Sequence, residues 1–314
     1  MSLRLDRHPV LAAQEEAPWL ERYALSPRGA LVWLFAPGQS IRGTVGTAFR
    51  TPSFIETYNQ LKVPTGTDAV VALNLGNLEL QPERILSTEV GYLNQPANSR
   101  YEIEATAYLN RVDRLMELSP VEPWTDPATA YDAEQGLYYA GTTGYVNAVE
   151  TYTAVGGELG GRWFPRDGID LFLNYAYTYI QKGAGEEATR ILSTSPSRVN
   201  AGFQVRRGGL SLASSLHYVD AQTWTLRSFD AQGNVVNSEV DLPSYVWVSA
   251  RLGYRLSERR IELALEGNNL LAPLQSGVEA GERRVETPEW THREYPLGQT
   301  IPLSIWSSLT YRFW

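Results

Sequence analysis

The sequence predicts an all-β fold: an antiparallel transmembrane β-barrel segment of about twelve strands. Three observations predict it. Apolar and polar residues alternate with period two along most of the chain, which sends successive side chains to opposite faces. The connections between these runs are short and long in turn. The chain also carries 18 Tyr and 9 Trp, side chains with an apolar body and a polar tip that suit a membrane–water interface or a ligand cleft.

The elements follow in order. Strands are expected at 2–8, 23–36, 40–49, 83–95 and 100–118, then at 144–164, 168–181, 195–207, 209–226, 243–256, 259–270 and 301–313. Within 169–179, Ile169, Leu171, Leu173, Tyr175, Tyr177 and Tyr179 share a face, opposite Asp170, Asn174 and Thr178. Phe203 and Val205 oppose Gln204 and Arg206; Leu252 and Tyr254 oppose Arg251 and Arg255; Leu263 and Leu265 oppose Glu262 and Glu266. The last run sets Ile305, Leu309, Tyr311 and Phe313 against Ser304, Ser308, Thr310 and Arg312, with Trp306 as an exception. Many runs exceed the five or six residues usual in globular strands and approach the roughly nine to eleven that cross a bilayer at a tilt. Short turns fall at 36–39, 94–99, 164–168, 206–209 and 256–259, where Gly and Pro supply turn geometry. Long connections fall at 9–22, 50–82, 119–143, 182–194, 227–242 and 271–300. Tight turns on one edge and large loops on the other is the outer-membrane barrel pattern, and it puts both ends of the chain on the short-turn side. The alternative is a soluble antiparallel β-sandwich, whose strands also alternate but are shorter.

Composition removes other classes. A hydrophobic fraction of 43% with 20% charged residues excludes a disordered chain. A net charge of -8 argues against nucleic acid as a partner. There is no Cys, so no disulfide or thiolate chemistry, and a zinc site would need His8, His217 and His292 to converge. No metal site and no cofactor is expected. The first ten residues carry Arg4, Asp6 and Arg7 and no apolar core, so they do not read as a signal peptide. No run of about twenty apolar residues offers a transmembrane helix.

Two stretches, "IRGTVGTAFRTPSFIETY" (41–58) and "GNLELQPERILSTEVGY" (76–92), resemble the barrel of TonB-dependent outer-membrane receptors. The matching positions are Arg50, Pro52, Ser53, Phe54 and Glu56, then Asn77, Leu80, Pro82, Glu83, Glu89, Gly91 and Tyr92. "AYLNRVDRLMEL" (107–118), "EGNNLL" (266–271) and the closing "YRF" (311–313) extend the likeness from about residue 23 to the end, although Trp314 follows that ending. Most of these positions read as structural: Pro82 where a strand begins, Gly76 and Asn77 in a turn, Gly91 where a missing side chain relieves crowding. The family's barrel has about twenty-two strands and a plug. The resemblance therefore implies that 1–314 is the C-terminal portion of a larger plugged barrel, with plug domain and signal peptide absent. Alone, it is expected to form an open or poorly closed half-barrel. It implies a Gram-negative outer-membrane receptor for an iron–siderophore or cobalamin-like nutrient. The implied partners are outer-membrane lipid, the TonB energy-coupling complex acting through the plug, and the barrel-assembly machinery, which reads a terminal aromatic strand. A complete small barrel acting as a passive pore or enzyme, and a soluble sandwich binding module, are the alternatives.

Catalytic residues are not expected. Ser215 and His217 share a face, but residues two apart on a strand sit roughly 7 Å apart, beyond hydrogen-bond reach. Ligand-binding candidates lie in the long loops. Residues 120–141 hold Trp124, Tyr131, Tyr138 and Tyr139 with Glu122, Asp126, Asp132 and Glu134 and no Lys or Arg; residues 285–298 add Trp290, His292, Arg293 and Tyr295. Aromatics with sparse charges suit a metal chelate or similar small molecule. The same residues also suit an interfacial girdle and a solvated acidic loop.

Overall fold

The computed structural model describes residues 1–7, 23–64, 69–229, 235–256, 261–272 and 302–311. In chain order the strands are β1 (Ser2–Arg7), β2 (Tyr23–Ala36), β3 (Gln39–Arg50), β4 (Gln60–Pro64), β5 (Val70–Leu75), β6 (Glu83–Asn94), β7 (Tyr101–Asp113), β8 (Met116–Leu118), β9 (Glu122–Pro123), β10 (Tyr131–Asp132) and β11 (Leu137–Asn147). They continue with β12 (Tyr152–Trp163), β13 (Ile169–Lys182), β14 (Thr189–Arg190), β15 (Ser197–Arg207), β16 (Leu210–Val219), β17 (Gln222–Phe229), β18 (Val235–Leu242), β19 (Tyr245–Leu256), β20 (Ile261–Asn268) and β21 (Ser304–Tyr311). One short helix, α1 (Phe54–Tyr58), follows β3.

Twelve of these strands form one meander in the order β1-β2-β3-β6-β7-β12-β13-β15-β16-β19-β20-β21, with β14 added beside β13. Every pairing along this path is antiparallel, because each partner is the next long strand in sequence. Tight turns at the short edge use left-handed backbone at Gly38 (φ 73) and Gly168 (φ 81), where a side chain would collide with the neighbouring turn. Among the described residues the outer strands β1 and β21 each pair on one side and do not pair with each other.

The register sorts the faces. Ala105, Leu159, Tyr175, Val199, Tyr218 and Val246 lie side by side across six strands on one face. Glu104, Gly160, Asn174, Asn200, His217 and Trp247 lie side by side on the other. The apolar face is uncovered: Leu309 is 69% exposed and Leu265 52%. A sandwich would bury this face under a second sheet; a barrel leaves it to lipid. The polar face is concave. Nine neighbouring strands, from Leu93 on β6 to Trp306 on β21, line one cavity of about 860 Å³. Laid flat at about 4.8 Å per strand they would span roughly 38 Å, so they share a cavity because the sheet curls.

Three expected strands are shorter than the alternation indicates. The run at 100–118 divides after Asp113, and β8 leaves to pair with β11. The run at 144–164 divides at 148–151, because β11 belongs to another sheet. The run at 209–226 stops at Val219, and β17 pairs instead with β18 in a separate hairpin. Two of the long connections are themselves ordered into strands. The segments 50–82 and 119–143 build a second sheet, β10-β11-β5-β4, with β8 and β9 also on β11. Its β5–β11 pair is parallel, a departure from the all-antiparallel expectation. The barrel hairpin β6–β7 supplies the long crossover that a parallel pair needs.

Candidate functional site

The residues marked by motif gather at the long-loop end of β3 and β6. Arg50 ends β3 and faces Glu83, the first residue of β6. Its guanidinium donates to both Glu83 oxygens (2.8 and 2.7 Å) and to both Glu56 oxygens (2.9 Å each). Glu56 also accepts from the Ser53 backbone N–H (2.7 Å), and its own N–H donates to Ser53 Oγ (3.3 Å), so a capping box starts α1. Burial raises the Glu56 carboxyl, but the Ser53 hydrogen bonds and Arg50 outweigh it and hold the carboxyl below its ordinary value. Glu83 further accepts from the Met116 N–H at 2.8 Å, which ties β8 into the cluster.

Asn77 continues the same structure. Its N–H donates to the Glu56 carbonyl (2.9 Å), its side-chain amide donates to the Tyr145 carbonyl of β11 (2.9 Å), and its Oδ1 accepts from the Glu79 N–H (2.8 Å). Gly76 packs against the backbone of Thr57 and Asn59, where any Cβ would sit 2.5 Å from Thr57. Leu80 is 2% exposed and Pro52 is buried. Pro82 immediately precedes β6, where its missing donor costs nothing. Phe54, by contrast, is 77% exposed, and its ring lies tilted against Tyr58 with centroids 5.2 Å apart. Further down the wall Glu89 pairs with Arg42, whose guanidinium lies beside Gly91. Tyr92 stacks on Phe35 at 6.3 Å on the outer face. Arg50, Glu56, Glu83 and Asn77 thus tie the rim together, and Glu89, Gly91 and Tyr92 lie on the wall below it.

The loop aromatics fall into two pairs on opposite faces of β11. Tyr131 and Tyr138 are register partners with ring centroids 4.6 Å apart, and both are about half exposed. Tyr139, next along the strand, points the other way and stacks on Trp124 at 5.0 Å. The Tyr139 hydroxyl donates to Asp132 Oδ2 (2.9 Å), and Trp124 Nε1 donates to Thr129 Oγ1 (3.1 Å). Lys62, from the other loop, donates to the same Asp132 oxygen at 3.0 Å and lies over the Tyr139 ring at 5.2 Å. The lysine holds Asp132 below the usual carboxylate range, helped by Tyr139. The acidic loop thus takes its counter-cation from a strand seventy residues away, which no local pattern in the sequence marks. Trp290, His292, Arg293 and Tyr295 lie outside the described residues.

The inner wall carries a second polar layer. Arg251 bridges Glu266 (3.0 Å) and Glu262 (2.7 Å), and Arg255 adds a bond to Glu262 (3.0 Å). Arg162 pairs with Asp170. Ser215 lines the same cavity, and His217 Nδ1 is bonded to Asn200 Oδ1. No group of three His, Asp or Glu side chains among the described residues is placed to hold a metal ion.

A curled antiparallel meander, apolar outside and polar inside, with tight turns at one end and structured loops at the other, defines an outer-membrane-type β-barrel protein. Residues 2–270 match the family described as TonB dependent receptor-like, beta-barrel, and the chain belongs to that family. Over 178 residues it is 26% identical to the vitamin B12 transporter BtuB of Vibrio vulnificus, covering 50% of this chain and 26% of that protein. Over 237 residues it is 25% identical to an iron-regulated outer membrane virulence protein of Vibrio cholerae, covering 74% of this chain and 33% of that protein. The chain therefore spans about a quarter to a third of the length of the curated relatives it matches. Among solved structures, the ferric enterobactin receptor PfeA of Pseudomonas aeruginosa superposes with a TM-score of 0.57 at 16% identity, over 80% of this chain and 35% of that one. At that identity the likeness is one of fold.

Proposed function

We propose that this chain forms part of the barrel wall of a Gram-negative outer-membrane receptor that takes up a scarce nutrient, an iron–siderophore or cobalamin-like chelate. Energy would reach it from the TonB complex through a plug seated against the polar inner wall. Insertion would depend on the barrel-assembly machinery and on outer-membrane lipid. The observation that carries this reading is the pairing of an uncovered apolar face with a concave, ion-paired inner face, in a sheet whose long connections build a sheet of their own. A transporter needs a lumen wall of this kind. The relatives named for vitamin B12 transport and iron regulation support the nutrient class.

The test is expression at the surface of a Gram-negative host. Together with the plug-bearing N-terminal part of such a receptor, the chain should restore TonB-dependent growth on a chelated nutrient; expressed alone, it should not. Growth that persists without TonB would favour a passive pore. Loss of the chain from the heat-modifiable, protease-resistant outer-membrane fraction would overturn the barrel reading itself.

A further inference from the structure

Three neighbouring turns at the short edge of the sheet form one row. The Phe164 N–H donates to the Arg100 carbonyl at 2.7 Å, which joins the β6–β7 turn to the β12–β13 turn. The Arg206 N–H donates to the Gly168 carbonyl at 2.7 Å and adds the β15–β16 turn. Residues 94–100, 164–168 and 206–209 together hold Arg100, Arg166, Arg206 and Arg207 against a single carboxylate, Asp167. All four arginines are exposed. Among the described residues none of them forms an ion pair, and Arg100 donates to a neutral group, the Pro165 carbonyl. The arginines of the inner wall differ: Arg42, Arg162 and Arg251 each meet a carboxylate. The row is thus a local excess of positive charge on a chain whose net charge is -8.

The same row sits where the lipid-facing surface ends. Tyr101 and Trp163 are register partners on the outer face, and Tyr254 lies opposite Leu210 on that face; all three rings are half-exposed. Tyr and Trp rings so placed mark the level of the membrane–water boundary. Arg100 directly precedes Tyr101, and Arg166 lies in the turn that follows Trp163. Arg207 continues the outer row of Phe203 and Val205 and faces Leu210. An arginine at the foot of a lipid-facing row lays its stem along the acyl layer and puts its guanidinium among the headgroups. There its planar fork of donors matches phosphate oxygens. We infer that this row binds the phosphate headgroups of anionic phospholipid, in the leaflet that meets the short-turn edge. Continuity with the apolar outer face selects a lipid surface over a soluble anion. The excess of arginine selects negatively charged lipid over zwitterionic lipid. The inference stands on the barrel fold and does not depend on the nutrient.

The test is the lipid retained by the full chain in non-ionic detergent micelles doped with equal amounts of phosphatidylglycerol and phosphatidylcholine, counted by mass spectrometry. At low salt the chain should retain phosphatidylglycerol about fivefold over phosphatidylcholine, and the preference should shrink as salt is added. Arg166→Gln with Arg207→Gln should remove most of the preference. Arg166→Lys with Arg207→Lys keeps the charge and should keep most of it. Arg42→Gln with Arg251→Gln takes the same charge from the inner wall and should leave the preference nearly unchanged. That pattern supports the row even where TonB-dependent growth fails. No preference in the parent, or equal losses in the two Gln pairs, overturns it even where growth succeeds. Displacement of the lipid by inorganic phosphate at constant ionic strength would reveal a site for a free anion and overturn the lipid assignment.

Discussion

The Tyr108 hydroxyl lies 2.7 Å from the Thr178 hydroxyl, although the whole of β12 separates their strands. The side chain can span this distance because Gly156 stands between them on the inner face, register partner of both. A Cβ at Gly156 would fall on the Tyr108 ring. Glu104 crosses Gly160 in the same way, its Oε1 2.7 Å from where a Cβ would be. These glycines act as gaps in the wall, over which long inner side chains lie flat.

Gly156→Val should therefore displace Tyr108 and break its bond to Thr178. The expected cost is about 1–3 kcal/mol, the range for overpacking a filled site. Tyr108→Phe removes only the hydroxyl and should cost about 1 kcal/mol. Urea unfolding in lipid vesicles measures both, and a Gly156→Val variant as stable as the parent would mean that Tyr108 does not rest there.

The two faces of β19 should respond oppositely to charge. Leu252 lies between Leu212 and Leu265 on the outer face and is 47% exposed. Leu252→Arg should cost about 2–4 kcal/mol if it sits near the bilayer midplane. Arg251→Leu removes two partly exposed ion pairs but leaves Glu262 with Arg255, and should cost about 1 kcal/mol or less. Equal losses for the two variants in the same vesicle assay would defeat the assignment of faces.

The wall was legible in the sequence because its signal is strictly local. Tyr175 against Asn174, or Leu263 against Glu262, needs only a period of two, and the register follows once tight turns join neighbours. The loop sheet was not legible for the same reason. In β5, Val71, Ala72 and Leu73 are consecutive and all at most 8% exposed, because both faces are covered. Such a run has no alternation to read. Its parallel partner β11 lies some sixty residues further on, and the Lys62–Asp132 pair joins the loops across a comparable distance. The motif residues Arg50, Glu56 and Glu83 were visible as a pattern, but not that one guanidinium would hold both carboxylates. Nor did alternation mark the end of β16. Asp220 follows Val219 in good register, yet its side chain takes the Tyr218 hydroxyl and the Ala221 N–H, and the chain turns away.

Docking of α1 on the rim should be acid-sensitive with a defined sign. Glu56 is held below its ordinary value of 4.5 in the folded protein, so its contribution is complete above that value and is lost as pH falls through the lower folded value. Limited proteolysis of the 51–82 loop should stay slow from pH 7 to about pH 5 and quicken only below about pH 4. Glu56→Gln should cleave faster at pH 7 and lose most of this pH dependence. Arg50→Met, which leaves two carboxylates without their shared cation, should open the loop by about 1–2 kcal/mol at pH 7, discounted for the arginine's partial exposure. Loosening that begins near pH 6 in the parent would point to another titrating group.

The loop sheet should face outward from the cell. It joins the long connections β3–β6 and β7–β12, and long connections occupy the extracellular edge of outer-membrane barrels. Ala133, in the exposed turn between β10 and β11, is a better reporter than Thr129, whose hydroxyl receives the Trp124 indole and donates to Asp126. A cysteine at Ala133 should react with a membrane-impermeant maleimide on intact cells. Asp167 sits in the tight turn between β12 and β13, at the opposite edge, and a cysteine there should react only after the outer membrane is permeabilised. The chain has no native Cys, so each variant carries a single reactive site. Labelling at Asp167 with protection at Ala133 would invert the topology and put the loop sheet on the periplasmic side.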